Sequence, residues 1–366
     1  MKNLVVYCLI IINLFSSCNN KKLSIELGSI QVMTGQMSKY GKTLQAALDA
    51  QLEIINEERK EQQLPLLNIT YYDDKLDPKT GVSCLQQLIQ IKKIPVCFGA
   101  LGSSVTMAMA PLANRNEVVL ISPASGAPEI TNAGEYIFRT CPSDLYEANV
   151  CADYYLANLK GKHLSIIYIN NDYGVGLKDA FLNRISDSGK VETYAFQQGQ
   201  SDFRTILSRI KQQKTEVIYL IGYEEMIAVY KQAMELNVVC AWLGNNQMND
   251  PDMVAKFGEW ANGTIFPGHQ YNLDSIKVTY PKFYAKYKKY SGGVELDVFA
   301  AYGVDALIAV YNAIKNGAVT GREIKEQLQN MGKISGMTGI FAFDENGDPI
   351  RKLDLYRIEN GKYFKF

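Results

Sequence analysis

Histidine is almost missing from this chain: only His163 and His269 occur among 366 residues. Neither has a second His or a Cys at ligand spacing, which argues against a structural zinc site. Net charge is missing too. Lys plus Arg and Asp plus Glu balance at 38 each, so no overall field draws the chain to nucleic acid or an anionic membrane. No CxxC pair occurs among the 7 cysteines. Beyond Cys8 and Cys18 near the N-terminus, Cys84, Cys97, Cys141, Cys151 and Cys240 form an odd set, leaving at least one free thiol. A Cys141–Cys151 or Cys84–Cys97 disulfide is possible in an exported protein, and spacing alone does not decide it. The apolar run Leu4–Phe15 is too short to cross a bilayer. What is abundant is hydrophobic residues, at 47 %, against 21 % charged, with 23 tyrosines. A sizeable core, about two domains and little disorder follow.

The N-terminal segment reads as targeting rather than fold. Lys2 is the charged start and Leu4–Phe15 has the length of a signal-peptide core, so residues 1–17 are expected to be a signal peptide. Leu14-Phe-Ser-Ser-Cys18 resembles a bacterial lipobox, with Phe15 where Leu is usual. The resemblance implies cleavage before Cys18 and lipidation of its thiol. Residues 18–22 then become a short tether holding a soluble body at a membrane surface.

The rest is organised around Gly99-Ala-Leu-Gly-Ser-Ser-Val-Thr-Met107 and Leu120-Ile-Ser-Pro-Ala-Ser-Gly-Ala-Pro128. In each, an apolar run ends in small hydroxyl residues and leads into helical sequence. Ser103 or Ser104 suits the N-cap of the first helix. The amides left over at such a start carry positive partial charge and suit a carboxylate or another small anion. No strong base and no nucleophile–base pair accompanies them, which favours holding a small molecule over transforming it.

Strands and helices alternate along the whole chain. Strands are expected at 23–30, 66–72, 95–99, 118–122, 164–169, 191–196, 217–221, 241–244 and 263–266. Helices are expected between them and at 276–290, 294–316 and 320–331, with a closing β meander over 339–366. This is an α/β class of doubly wound parallel sheets. Two arrays of similar length imply two lobes, and the absence of a low-complexity linker implies short repeated crossings, which are natural hinges.

Ordered stretches then carry a family resemblance. They are Met33-Thr-Gly35 with Tyr40-Gly41, Tyr72-Asp-Asp74 with Asp77-Pro78, Gly99 with Ser103-Ser104, and Ser122-Pro-Ala-Ser125 with Ala127-Pro128. Asn171-Asp-Tyr-Gly-Val-Gly176, Gly222-Tyr223 and Phe343-Asp-Glu-Asn-Gly-Asp348 complete the series. From Leu23 to Phe366 the chain resembles the branched-chain amino-acid type of periplasmic solute-binding protein, the receptor component of some bacterial ABC importers. The resemblance implies the type I fold, with two lobes joined by three crossings and closing on a ligand. It places lobe 1 at 23–142 plus 268–343 and lobe 2 at 143–267 plus 344–366. It implies an exported, lipid-anchored receptor, monomeric or weakly dimeric, with a membrane permease as partner and no cofactor or metal.

Site residues carry over by position. Ser103, with Leu101 and Gly102, matches the segment that holds a ligand carboxylate. Ala124 and Gly126 match a second strand-end contact, where the family often has Thr at the latter position; Ser125 is the candidate replacement for that hydroxyl. Tyr40 matches a rim aromatic, Tyr173 and Tyr223 match two aromatics that cover the ligand, and Phe299 matches a pocket wall. Asn246 stands where amino-acid-binding members carry an acid for the ammonium group. Either Glu224 or Glu225 supplies that charge, or the ligand is not an α-amino acid, and the second is favoured. A sensing lipoprotein using the same clam-shell is the rival reading. An enzyme is disfavoured, because adjacent acids such as Asp73/Asp74 and Glu224/Glu225 usually point apart, and Gly174-Val-Gly176 is too short for a nucleotide fingerprint.

Overall fold

The computed structural model describes residues 24–35, 37–186, 191–269 and 271–366. The signal segment, Cys18 and the tether lie outside them.

The first sheet is parallel and has the strand order β2-β1-β3-β4-β5. Its strands are β1 (Ile25–Gln31), β2 (Leu67–Asp73), β3 (Val96–Phe98), β4 (Val119–Ser122) and β5 (Ile137–Arg139). Helices α1 (Ser38–Glu61), α2 (Pro78–Gln87) and α3 (Ser103–Arg115) connect them. Because side chains alternate across a strand, Leu120 packs with Leu85 and Met109 on one face, while Val119 and Ile121 share the other with Leu44 and Leu48. Both faces are covered, as a parallel sheet requires.

The chain then crosses to a second sheet. Its parallel strands are β6 (Leu164–Ile169), β7 (Val191–Phe196), β8 (Val217–Ile221), β9 (Ala241–Leu243) and β10 (Ile265–His269). Helices α4 (Asp144–Asn158), α5 (Asp172–Arg184), α6 (Arg204–Gln212), α7 (Glu225–Glu235) and α8 (Pro251–Phe257) accompany them. It returns to the first lobe for α9 (Leu273–Thr279), α10 (Pro281–Tyr290), α11 (Val298–Lys315), α12 (Gly321–Asn330) and the hairpin β11 (Ile334–Gly336)–β12 (Gly339–Phe341). A third crossing brings β13 (Leu353–Glu359) antiparallel onto β10, followed by β14 (Lys362–Lys365). The apolar helix α11 is the buried spine of the first lobe, with Val304, Ala306 and Leu307 fully enclosed.

Arg139 fastens two crossings to each other. Its Nε and Nη2 meet the Asp348 carboxylate at 2.6 Å each, and its Nη1 donates to the carbonyls of Gly126 and Ala127 at 2.9 Å. The backbone N–H of Arg139 also donates to Gly347 O at 3.1 Å. Residues 344–349 therefore belong with the first lobe rather than the second, and Gly268 and His269 pair with β13 in the second sheet rather than the first lobe.

Other expectations are corrected as well. The helix expected over 276–290 is two helices, because Pro281 lacks the amide a continuing helix needs and Tyr280 leaves helical geometry. The closing meander is two separate hairpins on different lobes. Strand β5, three residues long, was not expected. All five cysteines from Cys84 to Cys240 are free thiols.

Candidate functional site

The parallel strands β1–β10 of the two sheets point their C-terminal ends at the gap between the lobes, where open α/β sheets place ligands. A narrow cavity of about 30 Å³ lies there, drawn nearly shut between the lobes. Leu101, Gly102, Ser103 and Ala124 line it from the two strand-to-helix turns of the first lobe, with Met37, Tyr40, Leu76 and Phe299 around them; Tyr173, Tyr223 and Gln247 face them from the second lobe.

The first turn is built by close packing. Gly99 has φ +133°, and a side chain there would strike the Ile30 carbonyl. Helix α3 begins with Gly102 as N-cap and no side-chain cap, so the expected capping by Ser103 or Ser104 is not what the hydroxyls do. Ser103 Oγ accepts from the Ala127 N–H at 3.3 Å, tying the two turns together, and Ser104 Oγ accepts from the Asp172 N–H of the second lobe at 3.3 Å. The uncapped first turn leaves backbone amides for an anion beside Ser103.

Two aromatics close the opposite side. Tyr173 and Tyr223 stack with ring centroids 5.5 Å apart and planes 13° from parallel. Asn171 caps α5 through the Gly174 N–H at 2.9 Å, and Asn245 Nδ2 donates to Tyr173 Oη at 2.7 Å, fixing the ring. Tyr40 meets Phe299 edge-on at 5.9 Å.

The lobes also touch at the rim. Lys39 Nζ lies 3.0 Å from Asp250 and 2.7 Å from Asp252, and Tyr40 Oη donates to Asp250 Oδ2 at 2.7 Å. Burial would raise the Asp250 pKa, but Lys39, the Tyr40 hydroxyl and the Asp252 amide outweigh it and hold the carboxyl below its ordinary value. This seam and the Ser104–Asp172 contact describe a closed clam-shell.

Beneath the cavity sit two acids that sequence reasoning missed, Asp144 and Glu147, on the first turn of α4. Both are buried, and burial pushes both carboxyls well up. Asp144 fills the space where a side chain at Gly126 would begin. Glu147 Oε1 accepts the backbone N–H of Asn246 at 2.8 Å.

Eight of the eleven expected residues therefore surround one cavity: Tyr40, Leu101, Gly102, Ser103, Ala124, Tyr173, Tyr223 and Phe299. Three do not. Ser125 bonds Thr106 and the Ala100 carbonyl, so its hydroxyl does not stand in for a Thr at 126. Gly126 is covered by Asp144. Asn246 turns its side chain to Gln247, whose Nε2 donates to it at 3.3 Å, and Gln247 takes the place on the cavity wall. Glu224 and Glu225 are not on that wall either; Glu225 Oε1 accepts from the Gly199 N–H at 2.7 Å. Asp73 and Asp74 point apart, toward Met33 N and Leu76 N.

A family model described as periplasmic binding protein matches residues 24–362. The chain belongs to the periplasmic binding protein family. Within that family it is similar to the Leu/Ile/Val-binding protein homolog 3 of Brucella melitensis, with 26 % identity across 92 % of both chains. It is also similar to the crystal structure of a leucine-binding protein from Thermotoga maritima, with a TM-score of 0.82 and 25 % identity over 93 % of this chain and 97 % of the other. A solute-binding protein of an ABC transporter from Rhodopseudomonas palustris, solved with 3,4-dihydroxybenzoic acid, shares the fold at a TM-score of 0.80 and 22 % identity, over 94 % and 96 % of the two chains. As a periplasmic binding protein, this chain is a solute-binding receptor of the two-lobed type I fold.

Proposed function

We propose that this receptor captures a small carboxylate, an amino acid or a close relative, and delivers it to a membrane ABC permease. The observation that carries the reading is the closed cavity whose first-lobe wall is the uncapped start of α3 with Ser103. A carboxylate there meets backbone amides and a hydroxyl, while Tyr173 and Tyr223 exclude water and strengthen those bonds. The relatives named for Leu/Ile/Val and leucine binding support the amino-acid class. Closure is worth the difference in ligand affinity between open and closed forms, and the rim seam is what an arriving ligand would help to form. Export with a lipid anchor at Cys18 completes the proposal: a tethered receptor stays beside its permease.

Mass spectrometry of the metabolite released on denaturing the purified protein, followed by calorimetric titration of the ligand-stripped chain with it, tests the reading. A small carboxylate bound once per chain is expected; a released molecule without a carboxylate contradicts it. For the anchor, Cys18→Ala is expected to move the protein into the soluble exported fraction, and persistent membrane association counts against lipidation.

A further inference from the structure

We infer that Leu76, together with Met37, sets how long a solute this receptor accepts. The inference rests on the receptor reading above and adds a substrate class to it: compact carboxylates whose tail ends short of this side chain.

Two spaces meet at these residues. The inner cavity, walled by Ser103, Tyr173 and Tyr223, has a volume of only about 30 Å³. An outer space of about 300 Å³ opens at the mouth of the cleft, between Thr34 and Lys75 of the first lobe and Gln198 and Gly199 of the second. Among the described residues, Leu76 and Met37 alone line both spaces. The two side chains are thus an apolar partition between a ring-lined seat and a polar mouth.

Leu76 is held there by a strained turn between β2 and α2. Lys75 and Leu76 have φ +55° and +58°. Left-handed backbone is uncommon for residues with a side chain, and here it occurs twice in succession. Two acids fasten it. Asp73 Oδ1 accepts the Lys75 N–H at 3.0 Å, and Asp74 Oδ1 accepts the Leu76 N–H at 2.8 Å. Asp74 is itself buried, and its backbone N–H donates to Gln31 O at 3.1 Å. Gly102 makes room for the tip of the side chain, since a Cβ there would come within 2.6 Å of Leu76 Cδ1. A turn that served only to join β2 to α2 would adopt the same backbone more easily with glycine. Strain kept at a cavity wall points instead to a side chain that must stand in one place.

Admitting or refusing one methylene in an apolar pocket changes affinity roughly tenfold or more. Leu76→Ala removes the branched end of the partition and joins the seat to the mouth, so a longer tail gains a path outward.

The test titrates the ligand-stripped full chain by calorimetry with two straight-chain probe series. One is the L-α-amino acids from alanine to aminooctanoic acid, and the other is the plain carboxylic acids from propanoic to octanoic. In wild type, affinity is expected to peak at a short member and to fall about tenfold for each carbon beyond it. Leu76→Ala is expected to move the peak by about two carbons and to raise the affinity for the longest member at least tenfold. Met37→Ala opens the same partition from the start of α1 and is expected to move the peak the same way. Leu76→Met, close in volume, is expected to keep the wild-type profile. A merely structural role would scale all affinities together and leave the peak where it is. An unchanged peak in both alanine variants, or a wild type indifferent to length, overturns the inference and leaves the receptor reading intact. Binding of neither series by wild type removes the receptor reading and this inference together.

Discussion

Two places where the lobes meet gather charge, and they differ in how it is satisfied. At the rim, Lys39 and Tyr40 of the first lobe saturate Asp250 of the second, whose remaining oxygen caps α8 through the Asp252 amide at 2.8 Å. On the floor, Asp144 and Glu147 are more deeply buried and keep three oxygens without a partner. The rim completes itself when the shell closes. The floor pair instead sits inside the fold with burial holding both carboxyls up.

The largest test of the contrast is the pH dependence of the ligand-free protein. A carboxyl whose folded pKa lies above its unfolded value contributes stability that is present below about pH 4 and lost as pH rises through the folded value. Asp144 and Glu147 are such groups, pushed up by burial. Asp250, held low, gives its full contribution above about pH 4 and no longer titrates there. Asp74 and Asp297, each raised by burial to about 6, act in the same direction as the floor pair. Stability from urea melts should therefore fall between about pH 4 and pH 8, by up to about 1.4 kcal/mol per pH unit for each group titrating. The fall should be shallower in Glu147→Gln and unchanged in shape in Asp250→Asn. A profile that rises with pH across this range breaks the comparison.

Tyr173→Ala removes a buried lid ring fixed by Asn245. Loss of its apolar cover predicts about 2–3 kcal/mol of binding, roughly a hundredfold in affinity by calorimetry. Ser103→Ala deletes one hydroxyl beside the α3 amides and should cost about 1–1.5 kcal/mol, roughly tenfold, with the fold intact by circular dichroism. Asp250→Asn acts only on the latch. An ion pair with Lys39 half-exposed is worth at most about 1 kcal/mol, so affinity should drop a few-fold. The drop should shrink as salt is raised.

Much of this architecture was legible beforehand because it is written in local periodicity. The alternation of apolar runs with helical stretches located both sheets, and Leu164–Ile169, Val191–Phe196 and Val217–Ile221 have the expected bounds. Glycine and hydroxyl residues at strand ends marked the turns that carry Leu101, Gly102, Ser103 and Ala124. The failures have physical causes. β5 is too short to show a period, and the two C-terminal hairpins read as one meander because sequence does not reveal which sheet edge a strand joins. Pro281 does carry a signal, since a proline inside a helical pattern usually ends the preceding helix. Asp144 and Glu147 were hidden by a local rule: acids in the first turn of a helix complement its dipole and are commonly solvated. The packing of Asn246 and Gly126 onto α4 helps to bury them, and no local sequence signal shows it. Gln247, Met37 and Leu76 reach the cavity through loop geometry that no motif encodes.

The proposed seat of a small solute is the space between Ser103 and Tyr173. Calorimetric titration of the ligand-stripped wild type against a Ser103→Ala/Tyr173→Ala double variant, using whichever small carboxylate the wild type binds, addresses it most directly. One ligand per wild-type chain is expected, with an affinity at least about a hundredfold lower in the folded double variant. Equal affinity in the two proteins would contradict it.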